Sequence, residues 1–473
     1  MKTRLTTAAV ASLFSSWAFS PANAGEPLPP TLEPTPSALE RYFMQDYMLG
    51  DWGGLRTKLA ENGVEFEFFY VGSMPTNLGG GIRAGTAYQH GFLAALDLDT
   101  EKLGLWGGGH FHVSGVSLEG RPFADTYVGD LNKTNLVDFP ADTRLWQAYY
   151  EQSLFNKKLT VKAGLMSVDR DFITPELYNS LASINFLNQT FFYPTMAFNL
   201  YDIPAFPTGN HSLPSTPYAA LGALIRWQPV DSFYIQAAIY DGNPDQSSSG
   251  TRLALRGEEG ALMYYEAGFR LNQGKDDRGL PGNYKIGGYY HTDEFYDIKS
   301  TALSLVPSPI PLDTAKTHDG NYGLYFLAEQ MLWREVGWDD PAQQGIVGFF
   351  RVATAPEDRN LAEFGIDGGL VFKGLIPGRD YDTLGIAGSY LKISDEVSRA
   401  QRQINETFAG FAPPVVEADY EAVVEVNYKL QLAAWWTLQA SLQYVMHPGG
   451  RASFASDTIA NAWVLGLQTT LRF

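Results

Sequence analysis

Cysteine is absent from this 473-residue chain, which excludes a disulfide framework, a thiolate metal site and a cysteine nucleophile. Positive charge is scarce. Lys and Arg number 34 against 52 Asp and Glu, for a formal charge of −18. That balance argues against nucleic acid as a partner, because phosphate binding needs a basic face. Beyond the first 24 residues, no window approaches the roughly 18 uninterrupted apolar residues of a membrane-spanning helix. H-E-x-x-H and G-x-S-x-G are missing, so a zinc hydrolase or an α/β-hydrolase has no signature here. Carboxylates are plentiful, but glycosidase chemistry needs one pair at a set separation, which a sequence does not display.

What is present begins with an export signal. Lys2 and Arg4 precede an apolar run over residues 8–19, and Ala22-Asn23-Ala24 forms a small-x-small cleavage site, marking residues 1–24 for removal. An exported chain without disulfides needs another staple, such as a closed hydrogen-bonded barrel. Residues 25–48 carry five prolines and read as an extended tether. Over 49–63 a short amphipathic helix is expected, with Asp51 as N-cap, Trp52, Leu55 and Leu59 on one face and Gly63 just past its end.

From Val64 the period shifts from 3.6 to 2, and the barrel domain is assigned to 64–473. Alternation predicts sixteen strands, near 64–71, 87–98, 108–118, 144–153, 159–166, 218–228, 232–241, 261–271, 283–292, 320–331, 345–355, 361–372, 382–391, 420–431, 434–445 and 462–473. In the last of these Trp463, Leu465 and Leu467 oppose Gln468, Thr470 and Arg472. A soluble sandwich gives the same alternation with its apolar face inward. Two features favour lipid outside instead. Aromatics crowd the strand ends (Tyr149, Tyr150, Trp227, Trp435, Trp436, Tyr444), as in interfacial girdles, and the strands approach the nine to eleven residues of a tilted membrane strand.

Connection lengths support this. Counting from one side, the even connections include the tight SLFNKK and PVDS, while the four longest (119–143, 167–217, 293–319 and 392–419) are all odd. Short inward turns and long outward loops are the mark of a membrane barrel. The expected fold is therefore all-β, a sixteen-stranded antiparallel transmembrane β-barrel with inward-folded loops and a short N-terminal helix. Residues 167–217 would be the third outward loop. Phe186, Leu187, Phe191 and Phe192 make it too apolar for a solvated strap, and the barrel interior could cover them.

Several segments together resemble the carbohydrate-selective porins of the OprB type: DWGGLRTKLAENGVEFEF (51–68), DLDTEKLGLWGGGHFHVS (97–114), VGDLNKTNL (128–136), TRLWQAYYEQSLFNKKLTVKAGLMSVDRDF (143–172) and EVNYKLQLAAWWTLQASLQYVMHPGG near the end. That resemblance implies an outer-membrane channel passing glucose and other small sugars by facilitated diffusion, constricted by inward loops. Ala440-Ser441 and His447 depart from the family pattern, in the last hairpin. The alternatives are a general or anion-preferring small-solute porin and, in another class, a secreted soluble carbohydrate-active β-protein.

A passage for a neutral, hydroxyl-rich solute needs fixed donors and acceptors that bind weakly enough to release. The pore-lining candidates are Arg83 in the first outward connection, Asp97 and His112 on neighbouring strands, Trp146 and Lys162 ahead of the third loop, Arg170, Asn185, Asn188 and Gln189 within it, and Arg226 after it. Trp146 has two readings, a sugar-stacking platform or a girdle residue. His110 and His112 share a strand face, but no third ligand lies nearby in sequence, and no metal or other cofactor is expected. A helix is expected within the third loop, with Thr174 as N-cap, Pro175 at N1 and Glu176 in the first turn. Expected partners are small sugars and outer-membrane lipid, with a homo-oligomer allowed.

Overall fold

The computed structural model describes residues 37–175, 177, 185–192, 214–244, 249–251, 260–274, 277–306, 312–335, 344–451 and 458–473. The expected export signal and most of the expected proline-rich tether lie outside these residues.

Eighteen strands form one antiparallel sheet, and sixteen of them make the barrel wall. The wall strands are β1 (Val64–Ser73), β4 (Gln89–Asp99), β5 (Gly109–Gly120), β6 (Asp142–Leu154), β7 (Leu159–Met166), β8 (Ala220–Val230), β9 (Phe233–Asp241) and β10 (Ala261–Leu271). They continue with β11 (Gly282–Tyr296), β12 (Thr317–Arg334), β13 (Gly345–Thr354), β14 (Ala362–Lys373), β15 (Thr383–Ile393), β16 (Tyr420–Ala433), β17 (Trp436–Met446) and β18 (Ala460–Arg472). Each pairs with its neighbours in sequence. β1 pairs with β18 from Phe69↔Arg472 to Ser73↔Gln468, which closes the ring. Above that point β2 (Thr76–Gly81) takes over as the partner of β18 and folds back on β3 (Gly85–Thr86), so the first outward connection completes the seam.

Alternation sets the two faces. Ile286, Leu324 and Tyr265 remain 64%, 63% and 52% exposed on the outside, while Lys285, Glu425 and Gln443 on the alternate positions are buried within. An apolar exterior around a polar interior suits lipid outside and an aqueous or loop-filled lumen inside.

The N-terminal segment brackets the seam at the short-turn end. A 3₁₀ turn (Trp52–Gly54) leads into α2 (Leu55–Glu61). The Arg56 guanidinium lies 3.8 Å from the Tyr47 ring centroid and 4.3 Å from that of Trp52, and its Nη2 donates to the Phe473 main-chain oxygen at 2.8 Å. Two expectations are corrected here. Asp51 does not cap α2, whose N-cap is Gly54; its carboxylate accepts from Thr57 N and Oγ1 instead. The tether also holds a helix, α1 (Ala38–Phe43), begun by a capping box between Ser37 and Glu40. Helices absent from the sequence reading also occur in the long loops: α5 (Ile298–Ser304) and α6 (Asp395–Thr407), packed through Ala302, Leu303 and Ala400.

Candidate functional site: the loop-lined lumen

The third outward loop leaves β7 through α3 (Val168–Asp171) and turns into the barrel. Its backbone is then held by charged side chains of the inner wall. Ile173 N donates to Glu266 on β10 at 3.0 Å, the Thr174 oxygen accepts from Lys285 Nζ on β11 at 2.7 Å, and Leu177 N donates to Glu329 on β12 at 3.3 Å. Further along, Arg351 on β13 donates to the Thr190 oxygen at 2.7 Å, and Glu425 on β16 accepts from Leu187 N and Asn188 N at 2.8 and 2.9 Å. α4 (Gln189–Phe192) ends this docked stretch. Two glycines let it lie close to the wall. A Cβ on Gly385 would fall 2.7 Å from Asn185 Nδ2, and one on Gly466 would fall 2.8 Å from Leu187 Cδ1.

A buried carboxylate needs donors and an undocked backbone N–H needs an acceptor, so each answers the other's desolvation cost. Glu266 is the densest case: besides Ile173 N it accepts from Tyr234, Tyr325 and Gln236. The second outward loop joins in the same way, with Leu131 N and Asn132 N on Glu421 at 2.8 and 2.6 Å. Glu329, Glu421 and Glu425 were not singled out in sequence as site residues, although alternation puts them on the inner face.

These contacts dispose of three candidates. Asn185, Asn188 and Gln189 were expected to face the passing solute, but they are only 1%, 0% and 5% exposed. Asn185 bonds to Asn427 and Gln439, Asn188 to Gln443, and Gln189 to the second loop at Leu136 and Asp138. They tie the third loop to the wall and to the second loop. Trp146 sits at a register shift of β6 and is 2% exposed, so it is neither an open platform nor a girdle residue. The helix expected after Thr174 mostly falls outside the described residues. Thr174 and Pro175 themselves are not helical, Leu177 is in a 3₁₀ turn, and the loop's described α-helical turns are α3 and α4.

The wall contacts just named run from β10 round to β18, and Gln236 on β9 donates to the Asp171 oxygen at 2.6 Å. The opposite sector, from β1 through β8, presents its own side chains to the lumen. Asp97 on β4 lies across from His112 on β5, and its Oδ1 is 2.9 Å from His112 Nδ1 and 3.0 Å from His110 Nε2. His112 stacks on Tyr149 of β6, with 4.9 Å between centroids, and Glu151 follows two residues on. Lys162 Nζ lies 3.9 Å over the Tyr149 ring and 2.8 Å from Asp171. Arg170 is exposed, with its guanidinium 4.5 Å from the Trp146 ring centroid. Asp97, His112, Lys162 and Arg170 are thus brought together on one side. Arg226 stands somewhat apart, 3.7 Å over the Tyr234 ring. Arg83 lies exposed at the long-loop mouth, bonded to the Thr126 oxygen at 3.3 Å.

A closed sixteen-stranded barrel with an apolar exterior, and with loops docked inside it on charged wall residues, defines an outer-membrane channel of the porin class. The profile described as "Carbohydrate-selective porin, OprB family" matches residues 83–473, and the chain belongs to that family. It is 26% identical to Porin B of Pseudomonas aeruginosa over 445 residues, covering 89% of this chain and 90% of that protein. A putative porin, QuiX, of Acinetobacter baylyi is 22% identical, with 91% and 94% covered. The fold is shared with the high-pH structure of Pseudomonas putida OprB, at a TM-score of 0.76 and 24% identity over 91% of this chain and 99% of that one. The protein is accordingly a porin of the bacterial outer membrane, a channel and not an enzyme.

Proposed function

We propose that the channel passes glucose and other small sugars by facilitated diffusion along the β1–β8 sector. The observation that carries this reading is the asymmetry of the lumen. The constriction loop is anchored mainly along β9–β17, with Lys162 on β7 holding its first turn, while Asp97, His110, His112, Tyr149 and Glu151 with Arg170 near them form a strip of donors and acceptors. Sugar hydroxyls find partners of both kinds there. Each contact is made at a partly wet surface, so binding stays weak enough for release. Family membership supports the same substrate class.

Swelling of liposomes carrying the full-length protein tests it. Glucose should enter well above the rate of empty liposomes, and entry should fall steeply for tri- and tetrasaccharides. Glucose entry no faster than in empty liposomes overturns the reading.

A further inference from the structure

Arg170 stands between two acids in sequence, and neither answers its charge. Asp169 is buried; it bonds to Ser167 Oγ and accepts from Thr216 N at 3.1 Å and Thr216 Oγ1 at 2.7 Å. Asp171 is held by Lys162, whose Nζ lies 2.8 and 3.0 Å from its two oxygens. Among the described residues, the side chain of Arg170 meets two aromatic rings, Trp146 at 4.5 Å and Phe192 at 5.9 Å, and no carboxylate. Three other inner-wall cations are paired with carboxylates. Lys162 has Asp171, Lys285 lies 3.8 Å from Glu266, and Arg351 lies 2.8 Å from Asp367.

The arrangement holds a guanidinium ready for a ligand. Trp146 is a buried floor under the exposed guanidinium, and a contact with a ring face leaves the N–H donors available to a ligand. A guanidinium so placed matches a carboxylate, which accepts two parallel N–H bonds from it. On the same side of the lumen, Asp97 and Glu151 can accept from hydroxyls and repel a second anionic group. One carboxylate at one end and hydroxyls along the rest describe a polyhydroxylated monoanion.

We propose that the constriction recognises sugar acids, with Arg170 taking the carboxylate, and that it favours them over the neutral sugars of the same size. This rests on the reading of the lumen as a carbohydrate passage. Trp146 acts as the positioning residue for Arg170.

The test uses the full-length protein in planar bilayers at roughly 0.1 M salt, where charges about 10 Å apart are still felt. Gluconate and glucose are the probes, and current noise gives the half-blocking concentration of each. The expected result is block by gluconate at about one-tenth the glucose concentration or less, a difference of roughly 1.4 kcal/mol. R170Q should bring the ratio of the two close to one, and R170K should fall between, since lysine keeps the charge but loses the fork and the stack. Equal block by the two probes in the unaltered protein overturns the proposal, as does a gluconate preference that survives R170Q. The two readings fail separately: glucose that neither blocks nor enters liposomes removes the neutral-sugar reading, whereas equal gluconate and glucose block removes only this one.

Discussion

Glu425→Ala is expected to loosen the constriction without opening the barrel. Glu425 is 0% exposed and accepts from Leu187 N, Asn188 N and Asn427 Nδ2. Truncation leaves the two loop N–H groups buried with no acceptor. An orphaned buried donor costs about 1–3 kcal/mol, so the docked state loses roughly 2–6 kcal/mol against an undocked one. The neighbouring anchors, which include Asn427 and Gln439 on Asn185, Gln443 on Asn188 and Arg351 on the Thr190 oxygen, are individual bonds and not a paired acceptor like Glu425. Glu425→Gln keeps one acceptor oxygen and should show about half the effect. Single-channel conductance and the size limit for sugar entry report the change: both should rise in Glu425→Ala and rise less in Glu425→Gln. Unboiled migration in detergent gels checks that the barrel stays closed. Wild-type conductance and size limit in a closed Glu425→Ala barrel would refute the anchoring argument.

Asp130, in the second outward loop, is buried with its carboxyl pushed well above the ordinary range, first by desolvation and then by Glu421 and Asp138. Its folded form holds a proton that the unfolded chain gives up above about pH 3.9, so its contribution is most favourable at low pH and declines as pH rises toward the raised value. Asp130→Asn should therefore gain heat resistance over wild type as pH rises from 4 through 8, read from the temperature at which the folded gel band is lost; a gap that does not widen contradicts this. Arg56→Ala removes a charged hydrogen bond to Phe473 and two ring contacts at the seam, a loss of roughly 2–4 kcal/mol, and should lower that same temperature. Gly164 has φ +141°, and a Cβ there would lie 2.3 Å from the Ala148 oxygen and 2.6 Å from Tyr149 Cα. Gly164→Ala should shift Tyr149 and with it Lys162, which a reduced sugar block of the current would show.

The wall was legible because a lipid-facing barrel alternates along every strand, and all sixteen expected strands have counterparts within a few residues. Strand ends were less legible where bulges let pairing run on. β11 continues past a shift between His291 and Glu294 to Tyr296, and β12 past one between Met331 and Trp333 to Arg334. The helix α6 had a readable signal: Ser394 at its N-cap, acids at 395 and 396, and Val397, Ala400 and Ile404 on one face.

Strand parity and adjacency to the loop put Asp97, His112, Lys162 and Arg170 on the inner side of the wall, where the structure also has them; their part in passage is the proposal above. The misreading of Asn185, Asn188 and Gln189 has a physical cause. A polar side chain on an inward loop can face solute or wall, and sequence does not separate the two. Here the buried loop backbone needed partners, so the amides went to the wall. Trp146 was ambiguous for a related reason, since its neighbour Arg170 arrives only once the loop has folded in.

The absence of cysteine makes the central claim directly measurable. Single substitutions Glu151→Cys and His110→Cys on the β1–β8 sector, and Asn188→Cys and Gln189→Cys on the docked loop, can be exposed to a small charged thiol reagent during bilayer recording. If the solute path runs along β1–β8, the first pair reacts quickly and reduces the current, while the second pair stays unmodified in the folded channel. Rapid modification at 188 and 189 with none at 110 and 151 would place the path on the other side and contradict the account.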